Sequence, residues 1–512
     1  MAQETEIKLA LHPQDLPRLM EHPLLSAHPG RVERLLNTYF DTPALDLRAA
    51  RIALRERRVG RRALLTVKTA GSSVAGLSRR GEWEVPRPRG RPDFKRIVDD
   101  AELARRLDTW APLLVPVFHT DFTRRTWQVT HLGARIEVAL DQGDLRSGAG
   151  PTLRHEDLLE VELELLDGSL DALLDLAHTL VLGPQGSTAQ ALRLRPSQRS
   201  KAERGYALFL GEPPRPLKAE AIDLSPAMSV DEAARVAFLA CVSHLQANET
   251  GLMARVNARH LPDPEFVHQA RVALRRLRTG LRLFRDHLPA PWVRHWSAHW
   301  KALADALGTA RNWDVFATEG LPELLPPDID SADAKALRLW VINQRLQANR
   351  MASAAISSPG HALAVLAFTR SVIDLPPSRE VADLSAWAQA VLRDGHQRLR
   401  LQAMEARRLG PDGRHELRLV LKKLRYAQEF LAGLLPPKRV ARSTAALAEA
   451  QALLGELNDL STAQALLAQV PDGLAPRLVA QLQSGLQAQL DAGLMALPTM
   501  EQALERSTTP WR

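Results

Sequence analysis

The 512-residue sequence contains a single cysteine, Cys241, and no uncharged apolar run long enough to span a bilayer. One cysteine excludes a disulfide within the chain, which favours a reducing compartment. The first residues include the acids Glu4 and Glu6, where a secretory signal would need an apolar segment. We therefore expect a soluble, cytoplasmic protein that has no membrane partner.

A large excess of charge of one sign is also lacking. Lys and Arg number 67 against 59 Asp and Glu, which gives a net charge of +8. An excess this small does not by itself indicate a polyanionic partner, whereas clustering of the basic residues would. A chain of 512 residues is too long for one compact core, so we expect two or three domains.

The sequence falls into two parts that differ in their pattern of apolar and charged residues. In the first, short segments of alternating apolar and charged residues predict antiparallel strands, and two longer periodic segments predict helices near 99–109 and 169–182. Residues 211–226 hold four prolines, which disfavour helix and strand and indicate a linker. The rest of the chain is helical by its period and rich in Ala, Leu, Arg and Gln. We therefore predict an α+β protein with a strand domain at 1–210 and an all-α domain at 227–505.

Charged and apolar residues alternate in the segment ETEIK, which puts Glu4, Glu6 and Lys8 on one face of a predicted strand. The pattern recurs in later strands, where this face carries Arg55, Arg57, Lys68, Arg80, Glu82, Glu84, Glu137, Asp141, Glu160, Glu162 and Glu164. A sheet with one solvated face would also alternate. However, this face is almost wholly ionised, and its acids and bases segregate by strand. If the sheet closes into a barrel, the charges line its lumen.

A lumen with these charges suits a triphosphate. Arginine and lysine side chains can hold phosphate oxygens from several sides. The glutamates need a hard divalent cation, Mg²⁺ or Mn²⁺, between themselves and the phosphates. A metal held in this way can orient or activate the water that attacks a terminal phosphorus.

The helical part contains an internal repeat. VHQARVALRRLRTGLRLFR at 267–285 matches RHELRLVLKKLRYAQEFL at 414–431, and LGTARNWDV at 307–315 matches LGELNDLST at 454–462. Both matches have the same offset, 415 − 268 = 454 − 307 = 147 residues. Two blocks at one offset predict a duplicated helical bundle.

Basic residues form a stripe along the first helix of each repeat. Their spacing of three and four places them on one helical face: His268, Arg271, Arg275 and Arg278 in the first repeat, and His415, Arg418, Lys422 and Arg425 in the second. A solvated surface is the alternative, but no acid lies between Phe266 and Arg285 to pair with the arginines. Aromatic residues do not interleave with the stripe, which disfavours nucleic acid as its partner. A bare chain of phosphates suits it better.

The order of the charged segments resembles the CYTH domain of the triphosphate tunnel metalloenzymes. ETEIK matches the ExExK signature, and within residues 1–210 it is followed by NTYFDTP, LRER, TVK, RRGEWEV, IEVALDQG, LEVELELLDG and SKAERGY. The resemblance implies an eight-stranded antiparallel tunnel that uses a divalent metal on a triphosphate. It implies a catalytic set of Glu4, Glu6 and Lys8. It also implies metal ligands at Glu4, Glu6, Glu160 and Glu162, and Glu164 lies on the same face and can share that role.

The same resemblance implies a set of substrate-binding residues. The phosphate ligands would be Lys8, Arg55, Arg57, Lys68, Arg125 and Lys201, with Arg80 and Arg204 as further candidates. Glu82 and Glu84 would orient these basic groups inside the tunnel.

Roughly residues 225–505 resemble the CHAD domain, a duplicated α-helical module, through HQARVALRRLR, LGTARNWDV, HELRLVLKKLRY and LGELNDL in that order. The resemblance implies binding of inorganic polyphosphate by His268, Arg271, Arg275, Arg278, His415, Arg418, Lys422 and Arg425, with Arg276 and Lys423 as adjacent contacts. Four polar residues are expected to cap helices or to pair with the stripe: Asn312, Asp314, Asn458 and Asp459.

The leading hypothesis is an enzyme that hydrolyses inorganic triphosphate to pyrophosphate and phosphate, with a polyphosphate-binding domain attached. This domain order resembles that of bacterial inorganic triphosphatases. One alternative is a protein that docks on polyphosphate granules and turns over triphosphate incidentally. Another is adenylyl cyclisation or thiamine triphosphate hydrolysis in the same tunnel, although no contacts for a base or a thiamine can be identified.

Overall fold

The computed structural model describes residues 3–27, 29–69, 71–253, 256–257, 261–326, 329–376, 383–404, 410–498, 500, 504 and 509. The chain divides into two compact units. The first, here called the barrel unit, is Met1–Arg215 together with Ser357–Asp374. The second, the helical unit, is Pro216–Ile356 together with Leu375–Arg512. The division after Arg215 falls inside the proline-rich segment that the sequence marks as a linker.

The barrel unit has ten strands within the described ranges. They are β1 Gln3–Leu11, β2 Arg31–Asp41, β3 Ile52–Val59, β4 Arg62–Thr69, β5 Ser72–Val74, β6 Leu77–Pro86, β7 Val115–His131, β8 Ala134–Ser147, β9 Arg154–Asp167 and β10 Leu194–Pro196. Six of them, β1, β3, β4, β6, β8 and β9, lie where the alternating segments predict. The helices of this unit are α1 Leu16–Met20, α2 Pro23–Ser26, α3 Asp46–Ala49, α4 Ala101–Trp110, α5 Leu170–Leu182, α6 Lys201–Leu210 and, much later in the chain, α12 Pro359–Ile373.

Eight of the strands close into an antiparallel barrel. Their order is β1-β9-β8-β7-β2-β3-β4-β6, and β6 pairs back onto β1. The three-residue strands β5 and β10 extend the sheet at β6 and β1. The predicted eight-stranded antiparallel barrel is therefore confirmed.

The barrel sorts its residues by the two-residue period of the strands. Ile136 and Val138 of β8 are fully buried in an outer core that the barrel shares with α5. A second outer core packs β3 and β4 against α4. On the opposite face of β8, Glu137 borders the cavity inside the barrel and Asp141 pairs with basic groups there. The lumen is therefore the charged face that the alternation predicts.

Helix α12 is an unexpected member of the barrel unit. It lies inside the stretch that the sequence assigns to the helical domain, yet it packs against α5. Leu363 and Leu366 join the outer core. Arg370 forms ion pairs with Asp171 and Asp175 of α5. An amphipathic period shows that a helix has an apolar face, but not which domain covers it.

The helical unit repeats its architecture as the sequence predicts. Its helices are α7 Val230–Leu252, α8 Pro264–Leu283, α9 Ala290–Val315, α10 Leu321–Leu324, α11 Ala332–Ser357, α13 Leu384–Ala403, α14 Pro411–Leu431, α15 Pro437–Leu467 and α16 Pro476–Leu494. The starts of α8 and α14, and of α9 and α15, are each 147 residues apart. Prolines at or next to these starts preset the backbone for a first helical turn.

Across the described residues, no single helix has the length and apolar character needed to cross a membrane. One pair of consecutive helices, α11 and α12, meets the length and composition requirement only together, with a bend of 50° between them.

Candidate functional site

Helix α6 positions two cations against the barrel. Ser200 caps its first turn by accepting a hydrogen bond from the Glu203 backbone N–H, and the Glu203 carboxylate accepts one from the Ser200 N–H. The helix packs against β7 and β8, and a Cβ atom at Gly205 would overlap the Phe118 ring. Tyr206 donates a 2.7 Å hydrogen bond to Asp41. This seating places Lys201 and Arg204 beside the carboxylates of β9.

Three carboxylates meet at this place. Asp141 of β8 and Glu160 of β9 are cross-strand partners, and Glu162 lies two residues further along the same face of β9. One oxygen from each residue lies within 4.8 Å of the others. Asp141 and Glu160 are almost completely buried. Carboxylate oxygens grouped in this way are the ligands that Mg²⁺ and Mn²⁺ prefer, so the residues present fit a divalent metal. We call this group the carboxylate trio.

Basic side chains compensate the trio. The Lys201 ammonium lies 2.7, 2.6 and 2.9 Å from oxygens of Asp141, Glu160 and Glu162. Arg124 pairs with Asp141 and Glu162, and Arg204 pairs with Glu160. Burial alone would raise the pKa of Glu162, but Lys201 and Arg124 hold that pKa well below its usual value.

The two glutamates of the ExExK segment point into the barrel beside the trio. Glu6 accepts a 2.6 Å hydrogen bond from Lys8 and also pairs with Arg80. Glu4 lies 3.0 Å from Lys68 and 3.1 Å from Arg80. Among the predicted metal ligands, the structure therefore groups Glu160 and Glu162 with Asp141, while Glu4 and Glu6 lie outside this group. The sequence placed Asp141 on this face without assigning it to the metal.

Glu164 lies apart from the trio. It is the cross-strand partner of Glu6 and of Glu137. Burial, together with the charges of Glu4 and Glu137, raises the pKa of Glu164 to about 7. A cation added near this carboxylate would therefore favour its ionised form.

The remaining predicted tunnel residues form ion pairs across neighbouring strands. Arg55 lies 3.7 Å from Glu82, and Arg57 lies 3.5 Å from Glu84. Lys68 lies 2.6 Å from Glu82. Glu82 and Glu84 are thus placed where they can orient the basic groups, as the resemblance implies.

The expected place of Arg125 in the tunnel is wrong. Arg125 is the cross-strand partner of Leu140, which belongs to the outer core, and it donates a 2.7 Å hydrogen bond to the Pro29 carbonyl. Its neighbour Arg124 faces the lumen instead. Two adjacent arginines on one strand point to opposite faces, and only the pairing register selects the inner one.

A cavity of about 350 Å³ opens inside the barrel beside Arg124. Arg57, Arg124 and Glu137 line it together with Arg31, Glu33, Leu35, Val59, Arg62, Leu64, Thr126, Trp127 and Gln128. Burial and the nearby charges of Arg55 and Arg124 lower the pKa of Arg57 to about 10. An anion in this space would relieve the repulsion among these cations.

In the helical unit, α8 packs against α14 and brings the basic stripes of the two repeats together. Six residues lie there within range of electrostatic interaction with neighbours in the group. We call them the basic cluster: His268, Arg271, Arg275, Arg311, Arg418 and Lys422. Burial together with the charges of Arg275 and Arg418 lowers the pKa of Lys422 to about 6, against a weaker opposing effect of Asp459. The pKa of Arg271 falls to about 10 because of burial, Arg275 and Arg311.

Sequence reasoning missed Arg311 of α9. It lies inside the repeated LGTARNWDV block, but the matching position of the second repeat is Asn458, so the internal repeat did not mark it as basic. Asp314 in the same block was expected to cap a helix or to pair with the stripe. It is instead fully buried and accepts hydrogen bonds from Arg345 and Asn349 of α11.

Other predicted polyphosphate ligands are placed differently. Arg276 is only 3% exposed, donates to the Glu220 carbonyl and lies 5.4 Å from the Phe430 ring, so its expected role as an adjacent contact is wrong. Lys423 is exposed, and the charges of Arg282 and Arg278 lie near it rather than those of the basic cluster. Arg275 and Arg425 both lie over the Tyr426 ring, at 5.5 and 5.2 Å. His415 is exposed on α14.

Both halves of the chain match known domain families. The CYTH domain family matches residues 2–208, and the CHAD domain family matches residues 236–468. An inorganic triphosphatase from Haemophilus influenzae is 34% identical over 215 residues, which are 41% of this chain and 55% of that protein. The match therefore spans little more than half of that relative.

Among solved structures, the CHAD domain of the plant Ricinus communis is 27% identical, covers 58% of this chain and 98% of that one, and has a TM-score of 0.49. A putative adenylyl cyclase from Hippeastrum, described as having a dominant triphosphatase activity, is 19% identical, covers 40% of this chain and 95% of that one, and has a TM-score of 0.29. The two family matches, together with the closed barrel and the duplicated helices, establish that the chain is a CYTH domain followed by a CHAD domain.

Proposed function

We propose that this protein hydrolyses inorganic triphosphate to pyrophosphate and phosphate inside the barrel, with Mg²⁺ or Mn²⁺ as cofactor. The observation that carries the proposal is the position of Arg124. Its guanidinium pairs with Asp141 and Glu162 of the carboxylate trio and also lines the inner cavity. The candidate metal site and the candidate anion site are thus adjacent, which supports the proposal. The Haemophilus relative adds support over the barrel region.

The side chains around the cavity would bind and orient the substrate. Arg57 and Arg124 provide donors for the phosphate oxygens, and Lys8, Lys68 and Arg80 add positive charge along the same lumen. Burial strengthens these interactions because water screens them less. When bound to the trio, the metal would neutralise phosphate charge and orient the attacking water. Charge neutralisation and in-line positioning account for most of the rate enhancement in reactions of this class.

Phosphate release from inorganic triphosphate, ATP, thiamine triphosphate and long-chain polyphosphate tests the proposal, with Mg²⁺ and with Mn²⁺. We expect the highest kcat/KM for inorganic triphosphate and no release in EDTA. A Glu160→Gln/Glu162→Gln variant should abolish release. Preference for ATP or thiamine triphosphate would favour the alternative chemistries, and metal-independent release would contradict the proposal.

We further propose that the helical unit binds inorganic polyphosphate through the basic cluster. The supporting observation is that cations of α8, α9 and α14 gather in one place: burial and neighbouring positive charges lower the pKa of Arg271 and Lys422, and Asp459 offsets part of this effect at Arg418 and Lys422. An unbranched polyanion would neutralise them. Such binding would associate the protein with polyphosphate granules in the cytoplasm.

A binding measurement separates this role from catalysis. Fluorescence anisotropy with labelled polyphosphate should show a strong loss of affinity in an Arg271→Ala/Arg418→Ala variant. A Glu160→Gln variant should still bind, because its altered group is in the barrel unit. Equal affinity of the basic-cluster variant and the wild type would contradict the proposal.

A further inference from the structure

The Lys201 ammonium occupies the centre of the carboxylate trio. It contacts an oxygen of Asp141, Glu160 and Glu162 at 2.6–2.9 Å, and the side chain is only 6% exposed. These are the same three residues whose oxygens are grouped closely enough to hold a metal ion. One cation centred among three carboxylates leaves no room for a second at the same point.

The charge balance of the trio leads to the same conclusion. Three cations, Lys201, Arg124 and Arg204, pair closely with the three carboxylates, and Lys8 lies 3.8 Å from Glu162, so the negative charge of the trio is already compensated. Adding a divalent ion to this balanced group would leave an excess of positive charge in a buried place, which is unfavourable. A metal can therefore bind well only if one of the resident cations leaves.

Lys201 is the cation best suited to leave. Arg124 is held by two parallel hydrogen bonds to Asp141, and Arg204 is anchored outside the trio by Glu156 and the Asp157 carbonyl. All three ion pairs of Lys201 go to the trio. Its side chain is a flexible four-carbon stem at the first position of α6, so the ammonium can move without unwinding the helix.

We propose that Lys201 is a built-in competitor of the divalent metal: its ammonium fills the carboxylate trio in the metal-free protein, and the metal must displace it to bind. This inference rests on the metal-dependent function proposed above. It makes Lys201 a residue that sets metal affinity, in addition to the phosphate contact that the family resemblance implies. It also predicts that removing this ammonium strengthens metal binding, although the residue belongs to the site.

The test is calorimetric titration of Mn²⁺ into the full-length protein without triphosphate. Lys201→Met should bind Mn²⁺ about tenfold more tightly than the wild type, or better, because a unit charge near the metal position is removed. Lys68→Met is the matched control. Lys68 is another tunnel lysine paired with two glutamates, Glu4 and Glu82, but it does not contact the trio. We expect a clearly smaller increase in Mn²⁺ affinity in this control.

Thermal unfolding supplies a second readout. Without metal, Lys201→Met leaves the three carboxylates with one compensating cation fewer, so saturating Mn²⁺ should raise its melting temperature more than that of the wild type. If the methionine variant does not fold, Lys201→Gln carries the same comparison. Unchanged or weaker Mn²⁺ affinity, or an equal gain in Lys68→Met, would overturn the proposal.

The two proposals fail in different ways. A wild type that binds Mn²⁺ but releases no phosphate from triphosphate would overturn the proposed function, while the gain in Lys201→Met would still establish the competition. A metal-dependent triphosphatase in which Lys201→Met binds Mn²⁺ no more tightly would overturn only the role of Lys201.

Discussion

Arg124 holds Asp141 with two hydrogen bonds of 2.7 Å, from Nε to Oδ1 and from Nη2 to Oδ2. The two residues are cross-strand partners of β7 and β8. Because a guanidinium fits a carboxylate with two parallel bonds, this pair orients both groups at once. This pair connects the carboxylate trio to the cavity that Arg57 and Arg124 line.

Replacing Arg124 by Ala should lower kcat/KM for triphosphate by about 100-fold or more, because a buried donor to the phosphates is lost. Arg125→Ala is the matched control. It removes the same side chain one residue away, on the outer face, and should leave kcat/KM nearly unchanged. Steady-state kinetics with melting temperatures for both variants checks this. Equal losses in the two variants would show that the register argument is wrong.

Asp141→Asn should weaken metal binding by about tenfold or more, because one charged oxygen ligand is lost. Asp144→Asn is suitable as its control, since Asp144 lies on the same strand but pairs with Arg146. The Mg²⁺ concentration that gives half-maximal triphosphate hydrolysis measures the effect. A normal Mg²⁺ requirement in Asp141→Asn would remove Asp141 from the metal site.

Polyphosphate affinity should fall as the pH rises from 6 to 9. In the free protein Lys422 has a pKa of about 6, because burial and the charges of Arg275 and Arg418 disfavour its ammonium, so it is mostly neutral above pH 7. A bound polyanion would raise this pKa, and binding would then take up a proton. One coupled proton lowers affinity by up to about tenfold per pH unit.

Lys422→Arg should flatten this pH dependence, because arginine keeps its charge throughout the range. Lys423→Arg is the control, since Lys423 lies outside the basic cluster and should retain the wild-type slope. Anisotropy titrations at several pH values and constant ionic strength give the slopes. The same slope in wild type and Lys422→Arg would exclude Lys422 as the proton acceptor.

Leu366→Ala should destabilise the barrel unit by about 2–4 kcal/mol, because it opens a cavity in a core where Leu366 is 1% exposed. Leu339→Ala on α11 is the control. Leu339 is 61% exposed, and its replacement should change stability by less than about 0.5 kcal/mol. Urea unfolding measures the free energy of unfolding of both variants. A negligible effect of Leu366→Ala would mean that α12 does not contribute to this core.

The sequence by itself determined the elements and the face on which most charges lie. Alternation with a period of two is a local property of the backbone, so it correctly predicted the strands around Glu6, Lys8 and Glu160, and the charged lumen. The spacing of three and four placed His268, Arg271 and Arg275 on one face of α8 in the same way. The offset of 147 residues predicted the duplicated helices, because a repeated pattern of core positions folds in a repeated way.

Only the tertiary structure decided which of these charges meet. The choice of Arg124 over Arg125 depends on strand register, and the entry of Lys201 into the carboxylate trio depends on how α6 packs against the barrel. Arg276 is buried, and α12 packs against the barrel core, because of the way in which apolar faces pair in the folded chain. These are contacts between residues far apart in sequence, whose free energy arises only when the chain is folded, so no local pattern encodes them.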